Sequence, residues 1–169
     1  DPNAEITIIE FGDYQCTFCY KFHKEKGNKI YEKYVIGGNV NFGFKDFPLN
    51  GESSIMASEA SYCAQEQGEF WQYHNTLYNN WGGENTGWIT EDSLLMFAKD
   101  SNLKLEEFDS CMKNSKFRQK VLDNEQFAKE IDINATPSFL IFSGNEVYRI
   151  IGAQSFEKFE QVFQELGSS

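Results

Sequence analysis

The sequence predicts a mixed α/β fold carrying an inserted helical segment, and three observations predict it. A β-rich run, a helical stretch and a second β-rich run follow one another before Pro48. The apolar periodicity of residues 53–133 is helical throughout, and the chain then returns to β character at Ser138 before an amphipathic close. At 169 residues, 40% hydrophobic and 16% aromatic, the chain is long enough for one domain with its own core, so stability need not depend on disulfides or metals.

The first run, EITIIEF at residues 5–11, is almost unbroken in its apolar character and ends at Gly12-Asp13, which suits a buried central strand; Glu10 is its exception. After Cys16, the residues Phe18, Phe22, Ile30, Tyr34 and Val35 fall at broadly helical spacing until Gly37-Gly38, with Gly27 as a weak point where a kink is expected. Residues 40–47 (VNFGFKDF) alternate as a strand does and are broken by Pro48, which completes a βαβ unit.

In the helical third, Ser53 or Ser54 is the expected first N-cap and Thr90 another, with Gly82-Gly83 marking a loop. Residues 138–142 and 146–151 then read as a β-hairpin turning at Ser143-Gly144-Asn145. Ser155 caps a last helix whose Phe156, Phe159, Val162, Phe163 and Leu166 share a face. The expected organisation is therefore a discontinuous domain of residues 1–52 and 133–169 with a helical insertion at 53–132. Internal repeats and low-complexity segments are absent from the sequence.

Charge narrows the function classes. Fifteen basic against twenty-six acidic residues give a formal charge of −11, which opposes non-specific attraction to nucleic acid or anionic membranes. Lys21, Lys24, Lys26 and Lys29 are read as solvating one helix and not as a phosphate site. No apolar run is long enough to span a bilayer, so direct membrane insertion of this chain is not expected. The start, Asp1-Pro2-Asn3-Ala4, lacks the regions of a signal peptide and is read as a mature or trimmed form.

The chemistry lies in Cys16-Thr17-Phe18-Cys19. This spacing sets two thiols one helical turn apart, with the first at a helix start, where free N–H groups and the helix dipole favour a thiolate. Cys16 is the expected nucleophile and Cys19 the resolving thiol, because attack on a mixed disulfide by a thiol held nearby is intramolecular and fast. The competing reading, half of a zinc site, lacks a second close pair of cysteines or histidines, so no metal is assigned.

Through residues 9–19 (IEFGDYQCTFC) and Thr136-Pro137-Ser138-Phe139 far downstream, the chain resembles the DsbA-like thiol–disulfide oxidoreductases of the thioredoxin superfamily. The stretch from Cys63 to Trp71, with His74, is similar to that family's helical domain, which thioredoxin itself lacks. The resemblance implies a thioredoxin-like fold, with Pro137 as a cis proline facing the cysteine pair and Thr136 offering backbone groups to an extended substrate segment. It places Glu10 beneath the pair, able to relay a proton to or from Cys19. It also suggests a structural disulfide between Cys63 and Cys111, against the alternative of two free buried thiols.

The implied activity is disulfide formation in secreted or extracytoplasmic proteins through a mixed disulfide at Cys16, with no bound cofactor. The implied partners are reduced or misoxidised proteins and a membrane quinone-linked oxidase of the DsbB or vitamin-K-epoxide-reductase (VKOR) type. The implied place is the periplasm or cell exterior, with a membrane tether before trimming left open. Thr17-Phe18 departs from the Pro-His of the strongly oxidising members, so the direction of electron flow stays open between oxidant and reductase or isomerase. A peptide-binding, chaperone-like module with purely stabilising cysteines is a third reading, and glutathione-transferase relatives fit less well because they commonly dispense with the paired cysteines.

Three other signals take bland readings. His23, one turn beyond Cys19, could favour thiolate charge if protonated, but a solvent-facing histidine accounts for it equally well and it is kept outside the core site. The aromatic stretch Phe70, Trp71, Tyr73, Leu77, Tyr78 and Trp81 is assigned to core packing with no cofactor. Asn134-Ala135-Thr136 matches a glycosylation pattern, but a glycan there would obstruct the proposed substrate face.

Overall fold

The computed structural model describes residues 1–167; Ser168 and Ser169, at the end of the expected outer segment, lie outside the described residues. Strand β1 (Ile6–Gly12) lies parallel to β2 (Val40–Asp46), and on its other side pairs antiparallel with β3 (Ser138–Ser143), which pairs with β4 (Glu146–Ile151). The sheet order is therefore β2-β1-β3-β4, which puts β1 between two partners, as its apolar run requires.

Between β1 and β2 the chain is helical but irregular. Helix α1 (Thr17–Phe22) loosens into a π-helical stretch at His23–Gly27, recovers as α2 (Asn28–Ile30), and loosens again at Tyr31–Val35. The weak point expected at Gly27 thus appears as wider turns.

Five helices fill the span between β2 and β3: α3 (Glu52–Glu66), α4 (Phe70–Asn79), α5 (Glu91–Asp100), α6 (Leu105–Lys113) and α7 (Arg118–Glu130). Helix α8 (Phe156–Leu166) closes the chain. Thr90 caps α5 in a reciprocal capping box with Ser93, and Ser155 caps α8 through Lys158 N–H.

The first cap of the helical third differs from expectation. Helix α3 starts at Glu52 behind Gly51, whose φ of +86° suits a residue without a side chain, and neither Ser53 nor Ser54 caps it. Ser54 lies a turn inside, buried, where its hydroxyl serves another partner, Asp13.

Apolar side chains divide among three clusters. One face of the sheet, with Ile6, Ile8, Phe139 and Ile141, takes Phe22 and Ile30 from the crossover and Phe159, Val162 and Phe163 from α8. The opposite face, with Phe11 and Phe47, takes Ala128 of α7 and Ile133. The third cluster joins α3 to α6, and Tyr14, Cys16 and Cys19 belong to it. The cysteine pair therefore sits where the sheet meets the helical segment. Truncating a residue such as Ile8, fully buried between these layers, is expected to cost about 2–5 kcal/mol.

Cys63 on α3 and Cys111 on α6 form a disulfide with Cα atoms 5.9 Å apart. Among the described residues, no helix is long and apolar enough to cross a membrane.

Candidate active site

Strand β1 leads directly into the reactive loop, and a buried carboxylate shapes it. Asp13 accepts hydrogen bonds from Gln15 N (2.8 Å), Ser54 Oγ (2.6 Å), Asn50 N (2.8 Å) and Asn50 Nδ2 (3.0 Å). Burial raises its pKa, and these donors work against that rise.

Gln15 extends the network. Its Nε2 donates to Asn50 O at 3.1 Å and Ser54 Oγ at 2.9 Å, and its Oε1 accepts from Asn85 N at 3.2 Å. Trp81 Nε1 donates to Gln15 O at 3.1 Å, and the Trp81 indole stacks on Tyr20 at 4.5 Å. The loop is thus clamped by the start of α3 on one side and by the α4–α5 connection on the other.

Cys16 is the N-cap of α1, and its Sγ accepts the Cys19 N–H at 3.2 Å. Its thiol also lies 3.4 Å from the carbonyl oxygen of Thr136, to which it can donate. The Thr136–Pro137 peptide bond is cis. The hydrogen bond from the Cys19 thiol, helped by Thr136 and by backbone N–H groups, outweighs burial and lowers the Cys16 pKa to about 7. Cys19 shows the opposite behaviour: burial first, then its bond to Cys16, pushes its thiol well up. Both sulfurs are free thiols in this structure. With 5% of Cys16 exposed against 0% of Cys19, a partner sulfur can approach only the first.

Glu10 is buried on β1, opposite Phe139 of β3. No described residue donates to its Oε1, and burial, reinforced by the charge of Cys16, raises its pKa well above the ordinary carboxylate value. A buried carboxyl group whose neutral form is favoured therefore stands electrostatically close to both sulfurs.

Other residues depart from their sequence-based reading. His23 does not face solvent: it is half-buried and stacks on Tyr78 at 4.8 Å, and burial lowers its pKa to about 4. It therefore supplies no positive charge to the thiolate near neutral pH. Phe18, expected among the apolar contacts of the helix, is 60% exposed beside Cys16. Thr17 Oγ1 donates to Glu84 Oε2 at 3.1 Å. In the aromatic stretch, Tyr73, Leu77 and Tyr78 are buried as expected, whereas Trp71 is 45% exposed.

Asp13 and Gln15 carry loop-shaping contacts to which sequence reasoning, taking them only within residues 9–19, gave no role. The one available signal was a polar Asp13–Gln15 pair between an apolar strand and a cysteine, which reads as an ordinary turn until its partners at Asn50 and Ser54 are seen. Among the described residues, no group of three or more His, Cys, Asp or Glu is placed to hold a metal ion.

The family model described as Thioredoxin matches residues 1–165. The chain is 28% identical over 148 residues to the probable disulfide bond formation protein D of Bacillus cereus, covering 85% of this chain and 68% of that protein. It is 27% identical over 142 residues to disulfide bond formation protein D of Bacillus subtilis, covering 82% and 64%. The chain thus spans about two thirds of the length of these curated relatives.

Two solved structures share the fold. Oxidised BdbD from Bacillus subtilis superposes with a TM-score of 0.89 at 24% identity, covering 100% of this chain and 91% of that one. Wolbachia pipientis α-DsbA1 superposes with a TM-score of 0.84 at 26% identity, covering 98% and 87%. A dithiol at a helix start, a family match over nearly every residue and this shared architecture agree: the chain belongs to the thioredoxin family, among its DsbA-like thiol–disulfide oxidoreductases.

Proposed function

We propose that this protein-disulfide oxidoreductase introduces disulfides into extracytoplasmic proteins by exchange at Cys16. In the oxidised enzyme a substrate thiolate attacks Cys16 Sγ; a substrate–Cys16 disulfide forms, the Cys16–Cys19 bond breaks, and Cys19 leaves as a thiolate. Cys19 is buried and its thiol pKa is pushed well up, so it takes a proton, and the neutral carboxyl of Glu10 is the donor we assign. A second substrate thiolate then attacks the substrate sulfur and releases Cys16 as a thiolate. The substrate leaves oxidised and the enzyme reduced by two electrons.

The observation that carries this reading is the asymmetry of the pair: Cys16 caps the helix, accepts the Cys19 N–H and is the sulfur a partner can reach, with its pKa lowered, whereas Cys19 is fully buried and its pKa is raised. The Thr136 carbonyl at 3.4 Å from Cys16 supports a substrate strand running beside the cis Thr136–Pro137 bond. Residues 53–132 act as an inserted helical unit on a thioredoxin-like domain of 1–52 and 133–169, with Cys63–Cys111 as its structural disulfide. Recycling falls to a membrane quinone-linked oxidase of the DsbB or VKOR type.

A second reading, as reductase or isomerase, is favoured by one observation. A Cys16 pKa near 7 resembles thioredoxin's more than the ~3.5 of strongly oxidising DsbA.

The reduction potential of Cys16–Cys19 separates the two. The protein is equilibrated in glutathione buffers, its thiols are trapped, and each pair is read by peptide mapping. A pair more oxidising than the glutathione pool is expected, each 30 mV being worth about 1.4 kcal/mol. A strongly reducing pair selects the second reading, and a pair that never cycles ends both.

A further inference from the structure

A cavity of about 400 Å³ reaches Glu10, and neither Cys16 nor Cys19 is among its lining residues. It opens between the irregular first crossover, β2 and α4, with Glu10 at its inner end and Tyr31, Phe42 and Trp71 among its walls. Tyr31 and Trp71 are 56% and 45% exposed, so the mouth presents aromatic surface to solvent. Such a volume suits a small molecule held by apolar walls and a few convergent polar groups.

The polar groups indicate which molecule. Glu10 is more than nine-tenths buried, lines the cavity, and has an Oε1 to which no described residue donates. Among the described residues, no Lys or Arg lines the cavity. The nearby ammonium of Lys24 is instead held by Asn79 Oδ1 at 2.6 Å. The two imidazoles in the wall, His23 and His74, are both driven down in pKa chiefly by burial and so bring no cation near neutral pH. Glu10 shares a cavity wall with aromatic rings, and burial holds its carboxyl in the neutral form because the protein supplies no counter-charge there; a cation entering the cavity would supply one and make ionisation favourable. Ring faces attract such charge, and quaternary ammonium groups are recognised by aromatic surroundings of this kind.

We propose that this cavity binds a small organic ammonium ion, with its charge at Glu10 and its alkyl groups against Trp71, Phe42 and Tyr31. A bound cation favours the ionised form of Glu10 and so withdraws the proton that Cys19 needs. Occupancy is therefore expected to slow exchange, a consequence that rests on the redox reading above; binding itself does not.

The test follows the Trp71 indole N–H by NMR while choline or its uncharged carbon analogue dimethylbutanol is titrated into the oxidised protein. Choline is expected to bind saturably and at least about tenfold more tightly than the alcohol, the preference expected of a charge-selective aromatic site. Glu10→Gln is expected to abolish that preference. Trp71→Leu, a wall residue outside the exchange chemistry, is expected to weaken binding with thiol exchange unchanged when choline is absent; His74 resonances report binding in that variant. Equal affinity for the two probes, absence of a saturable shift, or a cation preference surviving in Glu10→Gln would each overturn the proposal. Binding with unchanged exchange rates would leave the site standing and count against the role of Glu10 in the redox reading, so the two can fail separately.

Discussion

The molecule holds two pairs of cysteines whose burial is nearly the same and whose surroundings are opposite. Cys63 and Cys111 lie 48 positions apart, joined across α3 and α6 within an apolar cluster, with a methionine sulfur, that of Met112, 3.7 Å from Cys63. Cys16 and Cys19 are one turn apart at a helix start, and Cys16 is met by an N–H, a carbonyl and, at one remove, the Asp13–Gln15 network. Exposure therefore does not decide which pair reacts. The pair proposed to react is the one whose first sulfur caps a helix with its pKa lowered and which has a buried carboxyl group, that of Glu10, close by.

Removing one sulfur from each pair gives the sharpest contrast. Cys16→Ser is expected to abolish turnover of a dithiol peptide, a loss of at least about a thousandfold, because oxygen cannot replace sulfur in the exchange. Its denaturation midpoint should stay close to the parent's, since no disulfide is removed from the reduced protein. A Cys16→Ser protein that retained cellular activity would favour the chaperone-like reading instead.

The second pair should respond in the opposite sense. Replacing Cys63 and Cys111 together with Ser removes a bridge that closes a loop of 48 residues, and the loss expected from chain entropy is about 3–4 kcal/mol. Urea denaturation of the double variant measures it. Exchange at Cys16 should persist under conditions where the variant is still folded; if it disappeared there, the two pairs would be coupled and the contrast would fail.

Legibility in the sequence follows the same division. The central strand, the βαβ order, the hairpin, the caps at Thr90 and Ser155 and the position of Cys16 at a helix start all rest on local patterns of a few residues, and the structure has them. What escaped was set by contacts distant in sequence. Ser54 resembles an N-cap, yet Asp13, 41 positions away, takes its hydroxyl. His23 reads as exposed on its own helix and is covered by Tyr78 of α4. Phe18 fits an apolar stripe, but the pair it separates holds it at the surface. The cavity at Glu10 was beyond periodicity, because β1, the first crossover, β2 and the distant α4 together enclose it.

Glu10 offers a test with a sign in pH. Its folded-state pKa lies well above its unfolded value, so its contribution to stability is fully present below the unfolded pKa and is lost as pH rises through the folded one. Glu10→Gln cannot ionise, so parent and variant should be equally stable in acid. The variant should then gain progressively as pH rises from the unfolded carboxylate range, by about 1.4 kcal/mol for each pH unit separating the two pKa values. Urea midpoints from pH 4 to pH 8 read the trend, and a flat difference would show that the carboxyl is not penalised by burial. Its exchange rate should fall at the same time, the opposite of a gain in stability.

Gln15 gives the smallest expected effect and the most local one. Its amide joins Asn50, Ser54 and the Asn85 N–H around the reactive loop, and none of these contacts reaches Cys63 or Cys111. Gln15→Leu leaves those groups to find water at the margin of the loop, at a cost of about 1 kcal/mol. The sharper readout is the Cys16 titration, followed by the pH dependence of its alkylation rate. If the network holds Cys16 where the Cys19 N–H and the Thr136 carbonyl meet it, loosening the network weakens both contacts and moves the Cys16 pKa up from about 7. Gln15→Glu keeps the acceptor for Asn85 N–H but loses the donor to Asn50 and Ser54 and sets a negative charge beside Asp13 and Cys16, so it should raise the Cys16 pKa further than Gln15→Leu. An unchanged Cys16 titration in both variants would mean that α1 alone sets the thiolate, and that the polar loop contributes stability without chemistry.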